Sequence, residues 1–365
     1  MNDNRKNMTT FFSGIKVIEL ASVLAGPSVG MFFAELGAKV IKIENKAAGG
    51  DATRGWRLPG ENAAGPSAYF CAVNYGKEHI HLDLRRADDR ALLYREVADA
   101  DIVLGNYLEE TSLKLGVDFE TLKAHKPDLI FIQLDGFEHS TRLAYDVVLQ
   151  AETGWISMTG SQSEAPAKLP VALIDILAGH QMKEAALLAL LKHARTGQGS
   201  MVRCSLEKSS LAALANQASN YLMSNHVAKP MGTQHPNIAP YGDWYFSADG
   251  KKLVLAVGTD AQFEKLCDVL DVAVLAKQAN FSSNVRRVAN RNLLNAALGE
   301  AIASFTLADL EADFAQAGIP FGVVRQLDEV LTTATAKSML LESEMEGHPT
   351  RRLSSIAFNA AFLDA

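Results

Sequence analysis

The chain has 365 residues, 48% of them apolar and 21% charged, with a formal net charge of −7. That is material for one large domain or two ordinary ones with a sizeable core, and the composition is not that of a disordered chain. A pI near 5.8 without a run of Lys or Arg argues against nucleic acid or an anionic membrane as the main partner, yet leaves room for a local basic pocket.

Cys71, Cys204 and Cys267 are odd in number and far apart, with no Cys/His ligand spacing, so neither a disulfide framework nor a zinc site is expected. The opening MNDNRKNMTTFF has no secretory apolar core, and residues 15–43 are interrupted by Glu19, Pro27, Glu35 and Lys39. A reduced, cytoplasmic protein without a membrane span is the expectation.

In chain order, IKVIELA (15–21) reads as a buried strand, and SVGMFFAEL (28–36) continues at helical spacing after Gly26-Pro27. Gly37 suits the helix end and AKVIKIE (38–44) a second strand, making a βαβ unit. The alternation goes on with a strand over 79–84, a helix over 87–100 and a strand over 101–104. A short helix over 118–125, a strand over 128–134 and a helix ending near Gly154 follow. Residues 155–170 read as a loop, the long pattern from Asp175 to Arg195 as a helix, SMVRCSL (200–206) as a strand and 207–224 as helical. Near residue 228 the texture turns rich in Gly, Pro and aromatics. A strand (KKLVLAVG), a helix (DAQFEKLCDVL), a helical stretch over 270–318 and a final strand (GIPFGVV) then form a smaller domain. The expected division is 1–205 with 331–365 as the large domain, 206–228 as a helical linker and 229–330 as the small domain. The class is α/β, a Rossmann-like parallel sheet plus a smaller α+β domain.

The chemistry is less direct. LAGPSVG is not a dinucleotide fingerprint, because Gly26 and Gly30 stand four apart with Pro27 between, which disfavours a nicotinamide enzyme. His79 and His81 share a strand face without a further close ligand, so no metal is expected. No Gly-x-Ser-x-Gly elbow is present. Asp175 follows the apolar VALI and opens a long helix. It reads either as an N-cap or as a carboxylate kept ionised by helix amides and usable as a nucleophile toward an activated acyl group. Arg54, Arg57, Lys77, Arg85, Arg86 and Lys114 follow strand ends or loops, where solvated surface charge is the plain alternative to ligand binding.

The order of the motifs nevertheless resembles the class III CoA-transferases, the family of formyl-CoA and carnitine-CoA transferases and 2-methylacyl-CoA racemases. The matching pieces are GIKVIELASVLAGP (14–27), ELGAKVIKIE (35–44), GDATRGW (50–56), GKEHIHLDLR (76–85), ADIVLGNY (100–107), KLG (114–116) and YDVVLQAETG (145–154). DILAG (175–179), RTGQGSMVRCSL (195–206), GTQHPNIAPYGDWYFSADG (232–250) and GIPFGVV (318–324) complete a series that spans nearly the whole chain. Each piece is weak alone; together they are specific. The resemblance implies an interlocked homodimer, CoA or acyl-CoA as substrate with no permanently bound cofactor, and a small carboxylic acid as the second substrate. It implies that Asp175 attacks the thioester and carries the covalent intermediate. It places Ala25 and Gly26 along the pantetheine arm, Leu82 and Arg85 at a strand-end contact with CoA, Asn106 and Tyr107 near the adenosine half, and Lys114 at a phosphate. Tyr145 falls beside the thioester, Trp56 over the site, and Gly232, Thr233 and Gln234 on a small-domain loop that covers the acyl group.

The chain departs from the family pattern in places. Asn106-Tyr107-Leu108-Glu109-Glu110 stands where Asn-Phe-Arg-Pro-Gly is common, and Lys77-Glu78-His79 where Lys-Arg-Ser is usual. HSTRLA (139–144) replaces a Gly-Pro, and the tail is short. Two other readings remain at this point. A 2-methylacyl-CoA racemase needs a base on each face of the α-carbon, and relatives pair a His with the aspartate where this chain has Tyr145. A diverged CoA-binding protein without turnover would account for the missing cations.

Overall fold

The computed structural model of the chain describes residues 10–161 and 165–359. They group into two compact units. The larger takes the residues up to Trp155, Leu169–His226 and those from Ala334 onward; the smaller takes Val227–Thr333 and the described part of 156–168.

In the larger unit, β1 (Lys16–Glu19), α1 (Ala25–Glu35) and β2 (Lys39–Asn45) form the first βαβ unit. They are followed by β3 (Lys77–Leu82), α2 (Ala87–Ala98), β4 (Ile102–Gly105), α3 (Glu109–Leu115), β5 (Ile130–Asp135) and α4 (Asp146–Glu152). The 24-residue α5 (Leu173–Thr196), β6 (Ser200–Ser205), α6 (Leu206–Ala212) and α7 (Ala215–Ser224) complete the series. The six strands lie in the order β3-β2-β1-β4-β5-β6, every pair parallel. The central strands β1, β2, β4 and β5 are buried along most of their length because both faces are covered, whereas the edge strands β3 and β6 carry more polar and partly exposed residues. Val17, Val40, Ile102 and Ile130 pack on one side with Phe33 and Met182; Ile18, Ile41, Val103 and Phe131 pack on the other with Leu93 and Val97. The order reverses at β1, which opens a crevice outside the carboxyl ends of β1 and β4.

The structure moves two boundaries from their expected places. Residues 206–226 belong to the larger unit because α6 is buried there, with Ser210 Oγ 2.5 Å from Thr153 Oγ1 and the Glu207 amide donating to the Gly136 carbonyl. The described part of 156–168 goes with the smaller unit, where the Gly232 amide donates to the Gly160 carbonyl at 2.7 Å.

The smaller unit has an antiparallel sheet of β7 (Tyr241–Phe246), β8 (Lys252–Ala256) and β9 (Phe321–Val323), in that order. Among its helices are α8 (Asp260–Val269), α9 (Arg291–Ile302) and α10 (Leu307–Ala317), whose Phe263, Leu298 and Phe314 share a core with Leu253 and Leu255 of β8. The tail forms a hairpin of β10 (Leu340–Met345) and β11 (His348–Leu353) in the larger unit. It is fixed by Met345 against Phe70 and Cys71, and by Arg352, Ser354 and Ser355 on the buried Glu35 carboxylate. Among the described residues, no single helix is long and apolar enough to cross a membrane.

Candidate active site

Asp175 is the third residue of α5. Gly179, one turn on, carries no side chain where α5 meets α1: a Cβ there would stand 2.3 Å from Ser28 Oγ and 3.2 Å from the Ala25 carbonyl. That close approach seats the start of α5 beside the turn between β1 and α1. A cavity of about 310 Å³ opens there, lined among others by Ser22, Val23, Ala25, Asn106, Tyr107, Tyr145 and Asp175.

The sequence left Asp175 as either an N-cap or an ionised nucleophile, and the structure takes the capping role away from it. The N-cap position is Ala172, which makes no side-chain cap, and the Ile174 amide is taken at 2.7 Å by Asp146 Oδ2. Asp146 is itself fixed by Gln150, whose Nε2 donates to Oδ1 at 2.5 Å. Asp175 is therefore spared the capping role. Among the described residues nothing hydrogen-bonds its carboxylate, and only 7% of the residue is exposed. Burial, helped by repulsion from the Asp146 carboxylate, pushes its pKa up to about 7 instead of holding it low. Tyr69, which sequence reasoning missed, senses the same charge: burial and then Asp175, Asp146 and Asp51 raise its phenol above the ordinary range.

Of the other expected residues, Ala25, Asn106, Tyr107 and Tyr145 share the Asp175 cavity. Tyr145 is 54% exposed, at the N-cap of α4. Asn106 uses both ends of its amide on Ser22, accepting from its N–H at 3.2 Å and donating to its carbonyl at 3.1 Å. Gly26 is buried in the first turn of α1. Leu82 and Arg85 line a second cavity of about 300 Å³ with Asn45, Ala48 and Asp83. The two cavities share Tyr107 and Thr111 as walls. Arg85 is an exposed cation already paired with Asp83, at 2.8 Å through Nε and 2.9 Å through Nη2. Lys114 is exposed on α3 and lines neither cavity. Trp56 is half-exposed and meets the edge of Tyr69, ring centroids 5.0 Å apart. His79 and His81 turn to Glu44, with Nδ1 at 3.0 and 3.9 Å from its carboxylate.

Gly232, Thr233 and Gln234 lie in the smaller unit, in a turn ahead of β7. Thr233 is backed by Gly242, at φ 79°, where a Cβ would fall 1.8 Å from the Thr233 carbonyl oxygen. Asp146 and Tyr69 carried signals that could have found them. Asp146 begins a helix beside Tyr145, and Tyr69 follows the N-capping Ser67 of a short helix, Ala68–Cys71.

Comparison with known proteins identifies the family. CoA-transferase family III matches residues 12–364. A succinate–glutarate CoA-transferase of Agrobacterium fabrum is 36% identical over 92% of this chain and 85% of its own length. A succinyl-CoA:glutarate CoA-transferase of Mus musculus is 32% identical over 92% of this chain and 77% of its own. The crystal structure of a CaiB/BaiF family protein from Brucella suis superposes with a TM-score of 0.79 at 39% identity, covering 94% of this chain and 92% of that one. A six-stranded parallel α/β sheet, a buried carboxylate on a cavity wall at its carboxyl edge and a family match along nearly the whole length converge: the chain belongs to CoA-transferase family III and is a CoA-transferase.

Proposed function

We propose that this chain exchanges CoA between an acyl-CoA thioester and a free carboxylic acid, with Asp175 as the covalent carrier. The observation that carries the reading is the buried Asp175 carboxylate on the cavity wall, without a hydrogen bond among the described residues and raised to about 7. An aspartate so raised is a stronger nucleophile once ionised than an ordinary one, and no hydrogen bond to a described residue must break before it attacks.

In the first step an Asp175 oxygen adds to the thioester carbonyl and CoA leaves as thiolate, giving a mixed anhydride. The thiolate then attacks the aspartyl carbonyl, the donor acid departs as carboxylate, and an aspartyl-CoA thioester remains. The acceptor carboxylate attacks that carbonyl and expels CoA thiolate. The thiolate finally attacks the acceptor's acyl carbon in the second anhydride, forming the new acyl-CoA and restoring the Asp175 carboxylate. No hydrolysis intervenes, so the thioester energy is retained.

The two cavities that meet at Tyr107 and Thr111 suit an extended CoA, its reactive end at Asp175 and its nucleotide end toward Leu82 and Arg85. Asn106 then acts through the turn it holds, and Lys114 is the least suited of the expected phosphate contacts. The relatives' names point to succinate and glutarate, short dicarboxylates, as the acids to try first. A homodimer, the small domain of one copy closing the site of the other through Gly232, Thr233 and Gln234, is supported by apolar side chains left exposed on α5 and α7, among them Leu188, Leu191, Leu222 and Met223.

The test is Asp175→Ala, assayed for exchange between succinyl-CoA and labelled glutarate. Wild-type protein incubated with succinyl-CoA and hydroxylamine is analysed in parallel by peptide mass spectrometry. Exchange is expected to vanish in the variant, and hydroxamate to form at residue 175 in the wild type. Full exchange by the variant would refute the assignment.

A further inference from the structure

The motif Gly-Asp-Ala-Thr-Arg-Gly-Trp (50–56) holds, besides Trp56, the buried Asp51. Asp51 sits beneath the turn that walls the Asp175 cavity. In that turn Val23 has φ 74°, in the left-handed region, where a β-branched residue is strained. Strain of this kind persists only when the surroundings over-determine it, and it concentrates at working sites.

The surroundings here are charged and buried. Asp51 Oδ2 accepts the Val23 amide at 3.2 Å, while Oδ1 accepts the Thr53 amide at 3.0 Å and its hydroxyl at 2.8 Å. Lys42 Nζ, from the middle of β2, lies 3.0 Å from Asp51 and 2.9 Å from Glu19, and donates to the Ala21 carbonyl at 2.8 Å. Lys77 Nζ ties Glu19, at 2.7 Å, to the Pro27 carbonyl, at 2.8 Å, and to Asn74 Oδ1, at 2.9 Å. Burial alone would lower Lys42, but the Glu19 and Asp51 carboxylates outweigh it and hold the ammonium above its usual range. Burial works against the Asp51 anion too, and is overcome by Lys42 and Thr53, which keep it below the ordinary aspartate value. Both groups are therefore charged at neutral pH.

Such a network is poor evidence for stability, because desolvation of its ions offsets much of their attraction. What it does geometrically is specific. With Asn106 on Ser22, it grips the backbone of Ala21, Ser22, Val23 and Pro27. Neither lysine lines the Asp175 cavity, whereas Val23 and Ala25 do. The ions thus act on backbone atoms and not on a ligand in that cavity.

We propose that Asp51, paired with Lys42, is a positioning residue for CoA transfer: it locks Val23 in its left-handed conformation and so fixes the cavity wall against which the thioester meets Asp175. This rests on the reading of Asp175 as the reacting carboxylate. A misplacement of about 1 Å in such a wall costs on the order of 100-fold in rate.

The experiment measures kcat and KM for succinyl-CoA in Asp51→Asn, Thr53→Val and the double variant Val23→Gly/Asp51→Asn, each normalised to folded protein by circular dichroism. Asp51→Asn keeps the shape and removes the charge; kcat is expected to fall about 100-fold with KM little changed. Thr53→Val removes one hydrogen bond to Asp51 and leaves the ion pair, so kcat falls several-fold; it serves even if Asp51→Asn does not fold. Glycine adopts the left-handed conformation without strain. The double variant is therefore expected to regain at least tenfold of the lost kcat, a rescue that a purely stabilising role for Asp51 would not produce. Wild-type kcat in Asp51→Asn or in Thr53→Val, or a double variant no faster than Asp51→Asn, overturns the proposal. Hydroxylamine trapping on wild type separates the two readings. If residue 175 is not modified, the Asp175 assignment fails; if it is modified and the variants behave as wild type, only the positioning role fails.

Discussion

Two stretches of irregular backbone, one in each unit, are held by buried charge, and they are held differently. In the larger unit, the turn at 21–27 is gripped by lysines and an aspartate that reach both amides and carbonyls and keep Val23 strained. In the smaller unit, the 235–240 stretch leading from Gly232-Thr233-Gln234 is gripped by guanidinium groups on carbonyls. Arg291 Nη2 donates to the His235 and Ile238 carbonyls at 2.5 and 2.8 Å while Nη1 pairs with Asp243 at 2.9 Å. Arg287 Nε donates to the Ala239 carbonyl at 2.8 Å, and Nη2 pairs with Asp260 at 2.6 Å. A planar fork spans several acceptors at once, whereas an ammonium is a point charge that needs carboxylates around it. Arg287 and Arg291, each paired with one carboxylate, therefore hold three carbonyls of their stretch, where two lysines and two carboxylates in the larger unit hold two carbonyls and one amide. The arginine clamp also keeps its charge at any working pH.

The largest expected effect tests the arginine clamp. Arg291→Met leaves Asp243 buried without its partner and frees two carbonyls, a loss of about 3–5 kcal/mol. Urea unfolding followed by tryptophan fluorescence measures it, since Trp244 lies on β7 of the same unit. A loss below about 1 kcal/mol would place the pair among weak surface bridges, against its burial.

The next effect separates the two regions by pH. The folded protein holds Asp175 at about 7 against an ordinary value of 3.8. Folded chains thus bind more protons than unfolded ones between those values, and stability falls as pH rises from about 4 to 7. The full gap corresponds to about 4 kcal/mol, and Asp175→Asn should remove that slope. Activity runs the opposite way, because the nucleophile is the anion: kcat/KM is expected to climb to a plateau above pH 7. Paired melts of wild type and Asp175→Asn at pH 5 and pH 8 check the first, and a pH–rate profile the second. Equal pH slopes in both proteins would mean that Asp175 is not the raised acid.

Much of the scaffold was legible in the sequence, because central strands buried on both faces read as apolar runs and Gly37, Gly197 and Gly318 mark helix ends. Asp175 stood out by its place at the head of a long helix. Its actual environment was not legible. Nothing local to residues 171–180 reveals that Asp146 takes the Ile174 amide, so helix capping looked like the task of Asp175 itself. The strain at Val23 was equally hidden, since valine ordinarily signals a strand and its left-handed φ is imposed from Asp51, 28 residues away. The tail hairpin was missed because β10 (LLESEM) and β11 (HPTRRL) are short and mostly polar, and only their exposure, not their apolarity, alternates. In each case the deciding contact joins residues far apart in the chain.

The smallest expected effect compares two asparagines that do the same job by neutral hydrogen bonds. Asn106 accepts from and donates to Ser22; Asn284 accepts from the Ala239 amide at 3.1 Å and donates to the Asn237 carbonyl at 2.8 Å. Replacing either by alanine leaves one amide and one carbonyl without that partner, at about 1–2 kcal/mol measured by urea unfolding. Their kinetic consequences should differ. Ser22 is on the wall of the Asp175 cavity, so Asn106→Ala lowers kcat, but by less than Asp51→Asn because Asp51 still holds Val23. Asn284→Ala loosens a stretch whose carbonyls Arg287 and Arg291 still grip, so kcat at saturating succinyl-CoA should stay near wild type. If both variants lowered kcat equally at equal cost in stability, the small-unit stretch would be setting the rate as directly as the turn beside Asp175, and the contrast between a strained working wall and an unstrained clamp would fall.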